Sequence, residues 1–384
     1  MNSRVIDRKN FWRIIDLSVT VEMHFQLKST NIASGLVPKI LISKTFSFFI
    51  FCFAIDKWHN ISGETFGLKG TEPKQFLYDV KRISAVYGYD DIGNKIYFSA
   101  DDYDVDLNHN TIARTVNSSM PDFANYTVNF NKNGTFTFNS ELRNSPLCRQ
   151  FQIYADYIAN ENLKTISLVY NSFFENKPNE FPKIAVFGDS IANAAQTTAQ
   201  YFLGTDAYGF VGLLRTFLQT EYGIKNVIVD NFSKTDMSID LLVADKEKVI
   251  DGNYNTVIIE YGMNDHLSGV REGPFKEKLE NLCAYFSNNS IYIIIVGFFQ
   301  QNEKWDLEKP VYPGATVEFN NILKSVAKKY NAPFIGIYSE FQKISQRKDL
   351  IEDLTVDWMH HPTDFGHKVY FSMMVPYFIN SEVS

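Results

Sequence analysis

The chain has 384 residues, a formal net charge of −7, 21% charged residues and 45% hydrophobic residues. That length exceeds the needs of one small domain and is enough to bury a core in each of two. No run of Lys and Arg stands out, which argues against a nucleic-acid partner, because a polyanion is held by clustered basic side chains.

The first residues, MNSRVIDRKNFWRIID, lack the continuous apolar segment of a secretory signal. This points to a cytoplasmic protein. An apolar run follows at Thr45–Ile55, preceded by Lys39 and Lys44. Its 11 residues are too few to span a bilayer, so no transmembrane helix is expected and a buried strand is the favoured reading. If translation began at Met23 the same run would resemble a signal, and the protein would be secreted or surface-associated. Cys52, Cys148 and Cys283 are odd in number, widely spaced and without a C-x-x-C pair, which disfavours a disulfide framework or a zinc site.

From about residue 56 to 175 the chain reads as short aromatic and β-branched stretches separated by turn residues. ISAVYGY, DDIGN and KIYFSA follow one another, and FQIYADY and KTISLVYN close the region. Asn131-Lys132-Asn133-Gly134, between YTVNF and TFTFN, has the composition of a hairpin turn. Such regularly spaced strands predict a β-sandwich of the jelly-roll kind, with residues 1–55 an extension of it. Asp102, Asp104 and Asp106 alternate in this region, but Leu107 and Ala113 stand where a calcium loop would need Gly and Glu. A solvated strand edge is expected there.

Glu175–Pro182 is polar and reads as a linker. Beyond it, in residues 183–384, five apolar runs appear at Ile184–Phe187, Val227–Val229, Val257–Ile259, Ile291–Val296 and Phe334–Ile337. Helical patterns lie between them, with Phe210, Leu213, Leu214, Phe217 and Leu218 on one face. Phe275, Leu279, Leu282, Cys283 and Phe286 form a second face, and Phe319, Ile322, Leu323, Val326 and Tyr330 a third. Strands alternating with helices predict a parallel sheet covered on both sides, with its site at the carboxyl ends of the strands.

Two motifs fall at such positions, and a third lies near the C-terminus. Gly188-Asp189-Ser190 follows the first strand and places a hydroxyl on the turn out of it. Gly262-Met263-Asn264-Asp265 follows the third strand, where an Asn amide can donate to an oxyanion. Near the C-terminus, Asp357, His360, His361 and His367 fall within eleven residues. A Ser hydroxyl needs an imidazole base, and the imidazole needs an acceptor that fixes its tautomer; an Asp and a His on one loop supply both. A metal site is disfavoured because no fourth ligand lies at useful spacing, and no cofactor is expected.

Taken together, GDS, G-x-N-D and a final Asp/His block in that order resemble the SGNH/GDSL hydrolase superfamily over roughly residues 183–380. The resemblance implies a three-layer α/β/α flavodoxin-like domain and a serine esterase or O-acetyltransferase. By the same resemblance, Ser190 is the nucleophile, and Asp357 orients the base. Strict D-x-x-H spacing selects His360. The downstream His-Pro-x-x-x-Gly-His pattern selects His361, which is preferred for the longer match. His367 is assigned to capping or packing the last helix. The oxyanion donors would be the backbone N–H groups of Ser190 and Asp236 and the side chain of Asn264; Asp236 stands where the family carries a glycine.

A β-sandwich ahead of such a domain also resembles the layout of carbohydrate esterase family 2. This implies removal of O-acetyl groups from a carbohydrate, with transfer of acetyl to a polysaccharide hydroxyl as the alternative. A non-catalytic carbohydrate-binding protein on the same scaffold is a third possibility. The 33 Phe and 21 Tyr agree with a sugar partner in that aromatic rings stack on sugars, and exposed rings are expected where the two halves meet.

Overall fold

A computed structural model describes residues 59–126, 131, 132, 134, 135, 150–160, 183–221, 226–304 and 314–378. Thr45–Ile55, Cys52, Cys148, KTISLVYN and the linker Glu175–Pro182 lie outside the described residues, as do most of the strands expected to flank the Asn131–Gly134 turn.

The first half holds β1 (His59–Phe66), β2 (Lys74–Gln75), β3 (Val80–Tyr89), β4 (Lys95–Tyr97), β5 (Tyr103–Asp106), β6 (Thr111–Arg114) and β7 (Ile153–Ala159). They form two antiparallel sheets, ordered β1-β7-β3-β4 and β2-β6-β5. The aromatic strands supply the core: the rings of Phe66 and Phe76 meet edge to face with centroids 5.1 Å apart, and Phe76 meets Tyr157 at 5.0 Å. The acidic stretch is an edge strand as expected. Asp102 takes N–H groups from Ser99 (3.0 Å) and Ser119 (2.6 Å), and Asp106 takes those of Asn108 and His109. Their carboxylates close turns.

The second half contains β8 (Lys183–Gly188), α1 (Thr198–Leu203), α2 (Phe210–Thr216), β9 (Ile228–Asn231), α3 (Asp240–Asp245), α4 (Glu247–Asp251), β10 (Thr256–Glu260), α5 (Met263–Leu267) and α6 (Glu272–Asn288). It ends with β11 (Tyr292–Val296), α7 (Ala315–Lys329), β12 (Phe334–Ile335), α8 (Ile337–Ile344), α9 (Leu350–Leu354) and α10 (Asp364–Met374). All five strands are parallel, in the order β12-β11-β10-β8-β9. Numbered within this half, that order is 5-4-3-1-2, the flavodoxin-like arrangement. The central strands β8, β10 and β11 are near-continuously apolar because helices cover both their faces. On α6, Phe275, Leu279, Leu282, Cys283 and Phe286 are buried, each apolar side chain contributing roughly 1.5–3 kcal/mol. The strand order reverses direction between β8 and β10, so the crevice beyond their carboxyl ends is the topological switch point where such sheets bind ligands.

The two halves share one continuous hydrophobic core. Polar pairs cross the seam as well. Lys348 Nζ lies 2.9 Å from Glu64 Oε1, both side chains fully buried, and sits 3.4 Å above the Phe66 ring. Glu64 also accepts from Tyr157 Oη and from the Leu77 N–H at 2.9 Å. Gly67 N–H donates to Asp353 at 2.9 Å, Gln152 Nε2 to the Thr355 carbonyl at 2.6 Å, and Lys368 Nζ to the Ser62 carbonyl at 2.6 Å. Aromatic rings gather at the seam, where exposed ones were expected. However, Tyr87 and Tyr154 are buried and stacked on each other at 5.4 Å, and with Tyr89 and Tyr208 they line a cavity of only about 30 Å³. That space suits a water or two rather than a sugar ring.

Candidate active site

Ser190 stands on the turn that leaves β8. The turn is tight: Asn193 N–H donates to the Asp189 carbonyl at 3.0 Å, and Ala195 N–H to the Ser190 carbonyl at 2.8 Å. Asp189 braces it further, its Oδ1 accepting from Ile191 N–H at 2.8 Å. Two asparagines tie it to the loop after β9: Asn231 Nδ2 donates to the Ala192 carbonyl (2.8 Å) and Asn193 Nδ2 to the Ser233 carbonyl (2.9 Å). Gly188 is required for a close approach. It pairs with Glu260 across the sheet, and a Cβ there would lie 2.8 Å from Glu260 Oε2 and 2.6 Å from Ala192 Cβ.

The histidines sit on a loop closed by a bridge between Thr355 and Pro362, with Val356 N–H donating to the His361 carbonyl at 2.9 Å. Asp357 organises it. Its Oδ1 accepts the backbone N–H groups of Met359 (2.9 Å), His360 (3.1 Å) and His361 (3.2 Å). Its Oδ2 is hydrogen-bonded to His361 Nδ1. The other ring nitrogen, Nε2, lies 2.9 Å from Ser190 Oγ. With Nδ1 protonated toward Asp357, Nε2 is the acceptor for the Ser190 hydroxyl. The next residues start α10, where Thr363 Oγ1 caps the helix through Gly366 N–H at 3.1 Å and so anchors the loop's far end.

Ser190, Asp357 and His361 are all buried. Burial works against the Asp357 carboxylate, but the charge and hydrogen bond of His361, the neighbouring His360 and the loop N–H groups outweigh it, holding the group well below the usual carboxylate range. His360 lies beside His361, ring centroids 4.3 Å apart, and is not the ring that faces Ser190. His367 is buried within α10; its Nδ1 accepts from Phe210 N–H at 3.4 Å and its ring stacks on Phe210. Burial lowers it to about 3, so it stays neutral.

The expected oxyanion donors come from three loops. Asn264, at the head of α5, gives one amide hydrogen to the Met237 carbonyl at 3.1 Å, which leaves the second for another acceptor and ties the loop after β10 to the loop after β9. Gly262 before it has φ +128°, and a Cβ there would strike the Phe298 ring at 2.5 Å. Asp236 has φ +61°, the left-handed conformation a glycine adopts freely and an aspartate tolerates, and its side chain is exposed. Among the described residues no three His, Cys, Asp or Glu side chains converge as a metal site would need.

Residues 186–369 match the family described as GDSL-like lipase/acylhydrolase. The C-terminal half is an SGNH/GDSL-type hydrolase domain. No curated protein matches the sequence. Among solved structures, an acetylxylan esterase from Geobacillus stearothermophilus is 20% identical over 52% of this chain and 97% of its own, with a TM-score of 0.43. An alpha/beta hydrolase enzyme from the metagenome of Lake Arreo, Spain, is 18% identical over 51% of this chain and 94% of its own, also with a TM-score of 0.43.

Several residues around the Ser190–His361–Asp357 chain are given no role by the sequence motifs. Glu260, the last residue of β10, is fully buried against Asp189, with Asp189 N–H 3.4 Å from its Oε2. Burial, then the neighbouring Asp189, pushes Glu260 well above the usual range; burial likewise raises Asp189 to about 6. Each has one carboxyl oxygen without a protein donor, which a proton held between them would satisfy. A glutamate ending an otherwise apolar strand was the available hint. Trp358, between Asp357 and His361, has φ +62°, which costs a side-chain-bearing residue about 1–2 kcal/mol.

Proposed function

We propose that the protein is a serine-dependent acyl-ester hydrolase that works through an acyl-enzyme on Ser190. The observation carrying this is the continuous chain Ser190 Oγ, His361 Nε2, His361 Nδ1, Asp357 Oδ2 at the switch point of the sheet. His361 takes the Ser190 proton as Oγ attacks the ester carbonyl, Asp357 stabilises the imidazolium, and the alcohol leaves with that proton. The Ser190 and Asp236 N–H groups and the Asn264 amide serve the oxyanion. Water activated by His361 then releases the acid. No metal or cofactor enters these steps.

The acyl group is taken to be acetyl and its carrier a carbohydrate, on the resemblance of the two-part layout to carbohydrate esterase family 2. The chain divides into an extension (1–55), a β-sandwich (56–175) and the hydrolase domain (183–384). Acetyl transfer to a sugar hydroxyl would use the same triad and differ only in what reaches the acyl-enzyme. A purely binding role is disfavoured because Ser190, His361 and Asp357 are bonded in the order that activates a hydroxyl.

The test is hydrolysis of p-nitrophenyl acetate by the wild type and by Ser190→Ala. The variant should fold normally and lose activity by orders of magnitude, since nothing replaces the nucleophile. Activity near that of the wild type would remove Ser190 from the mechanism.

A further inference from the structure

Apart from the main core, the described residues form one small hydrophobic cluster, of Phe123, Tyr126 and Met359 with Phe151 and Trp358 packed against it. Phe123, Tyr126 and Phe151 belong to the β half. Met359 and Trp358 belong to the loop that carries Asp357 and His361. The indole of Trp358 stacks on Phe123, centroids 5.6 Å apart and planes 19° from parallel, and leans on Tyr126 at 5.7 Å. Lys69 Nζ, also from the β half, lies 5.8 Å from the same indole. From the hydrolase half, Asn302 holds the loop's backbone: its Nδ2 donates to the Trp358 carbonyl and its N–H to the Met359 carbonyl, both at 2.8 Å.

Trp358, the first of the three residues between Asp357 and His361, therefore occupies a left-handed backbone conformation that a bulky side chain does not adopt unaided. Asn302 holds its backbone from one half of the chain, and the aromatic slot holds its side chain from the other. We infer that Phe123 and Tyr126 are positioning residues for the proposed hydrolysis: by gripping Trp358 they hold the Asp357–His361 turn where His361 meets Ser190. This assigns the β half a part in catalysis that does not depend on binding substrate, and it rests on the triad mechanism above. Loss of the grip lets the loop relax, and small misplacements of a base cost far more in turnover than in ground-state binding.

The experiment uses the full chain, with p-nitrophenyl acetate as substrate and active sites counted by fluorophosphonate titration. Phe123→Ala should lower kcat per active site by about 10- to 100-fold with KM within about twofold; Phe123→Tyr, which keeps a ring in the slot, should restore most of the rate. Phe123→Leu keeps the buried volume without the ring plane and should fall between them, which covers the case in which the alanine variant does not fold. If folded Phe123→Ala or Phe123→Leu turns over like the wild type, the inference is overturned while the hydrolase reading stands. The same holds if only KM rises, which would make the slot part of a substrate site. A wild type that neither hydrolyses the ester nor takes the label would sink both.

Discussion

His360 and His361 are adjacent and both buried, yet they do different things. Asp357 and Ser190 bracket the His361 ring, one on each nitrogen, whereas His360 lies against its flank. His361→Ala should therefore lower kcat on a small ester by on the order of 10⁴-fold or more, and His360→Gln by less than about tenfold, as steady-state kinetics on the two variants would show. Equal losses would mean that the flank ring shares the base's work. The chain's motifs brought this question down to two residues and preferred His361 for its longer downstream match; spacing from Asp357 alone pointed the other way, because it does not show how the loop between them is shaped. That shape is set by the left-handed turn at Trp358 and by three N–H groups converging on Asp357, which no motif marks. Ser190 and Asn264 were readable for the opposite reason: both follow central strands whose ends the apolar pattern marks.

The elements β8 and β10 do more than present Ser190 and Asn264. Glu260, the last residue of β10, and Asp189, the residue after β8, bring two carboxyl groups together in the core behind the Ser190 turn. Glu260 has its proton affinity raised by burial and by Asp189, so its contribution to stability is full below about pH 4.5, its unfolded value, and is lost as pH rises through its folded value. Glu260→Gln removes that proton uptake while keeping the shape. Melting curves from pH 5 to pH 8 should show the glutamine variant gaining on the wild type as pH rises. Parallel curves would mean that no proton is held there. The five parallel strands could be read from apolar runs because buried parallel strands are apolar on both faces, and the helices from their 3.6-residue stripes. The pairing of the β half's strands into two sheets could not, since antiparallel register depends on turns and bulges such as that between Ile61 and Glu64.

For the molecule as a whole, the change from β-rich to alternating composition marks two halves, but the contacts join them more closely than a linker would. The sequence pattern carries no hint of the Lys348–Glu64 pair, because each residue alone looks like an ordinary surface charge. Lys348→Met should leave Glu64 buried without its cationic partner, lowering stability by about 3–5 kcal/mol in denaturant melts, with partial recovery in the Lys348→Met, Glu64→Gln double variant. A loss under about 1 kcal/mol would show that water reaches the pair. For the same reason a fragment beginning at residue 183 should not fold to an active enzyme, because it would expose the core shared with β1 and take Glu64 from Lys348 and the Gly67 N–H from Asp353. The account depends above all on Ser190 being a nucleophile activated by His361. Labelling the full chain with a fluorophosphonate and mapping the modified peptide tests this most directly. The account predicts a single covalent label on Ser190, abolished in His361→Ala and kept in His360→Gln; a label on any other residue, or one on Ser190 that forms equally fast without His361, would contradict it.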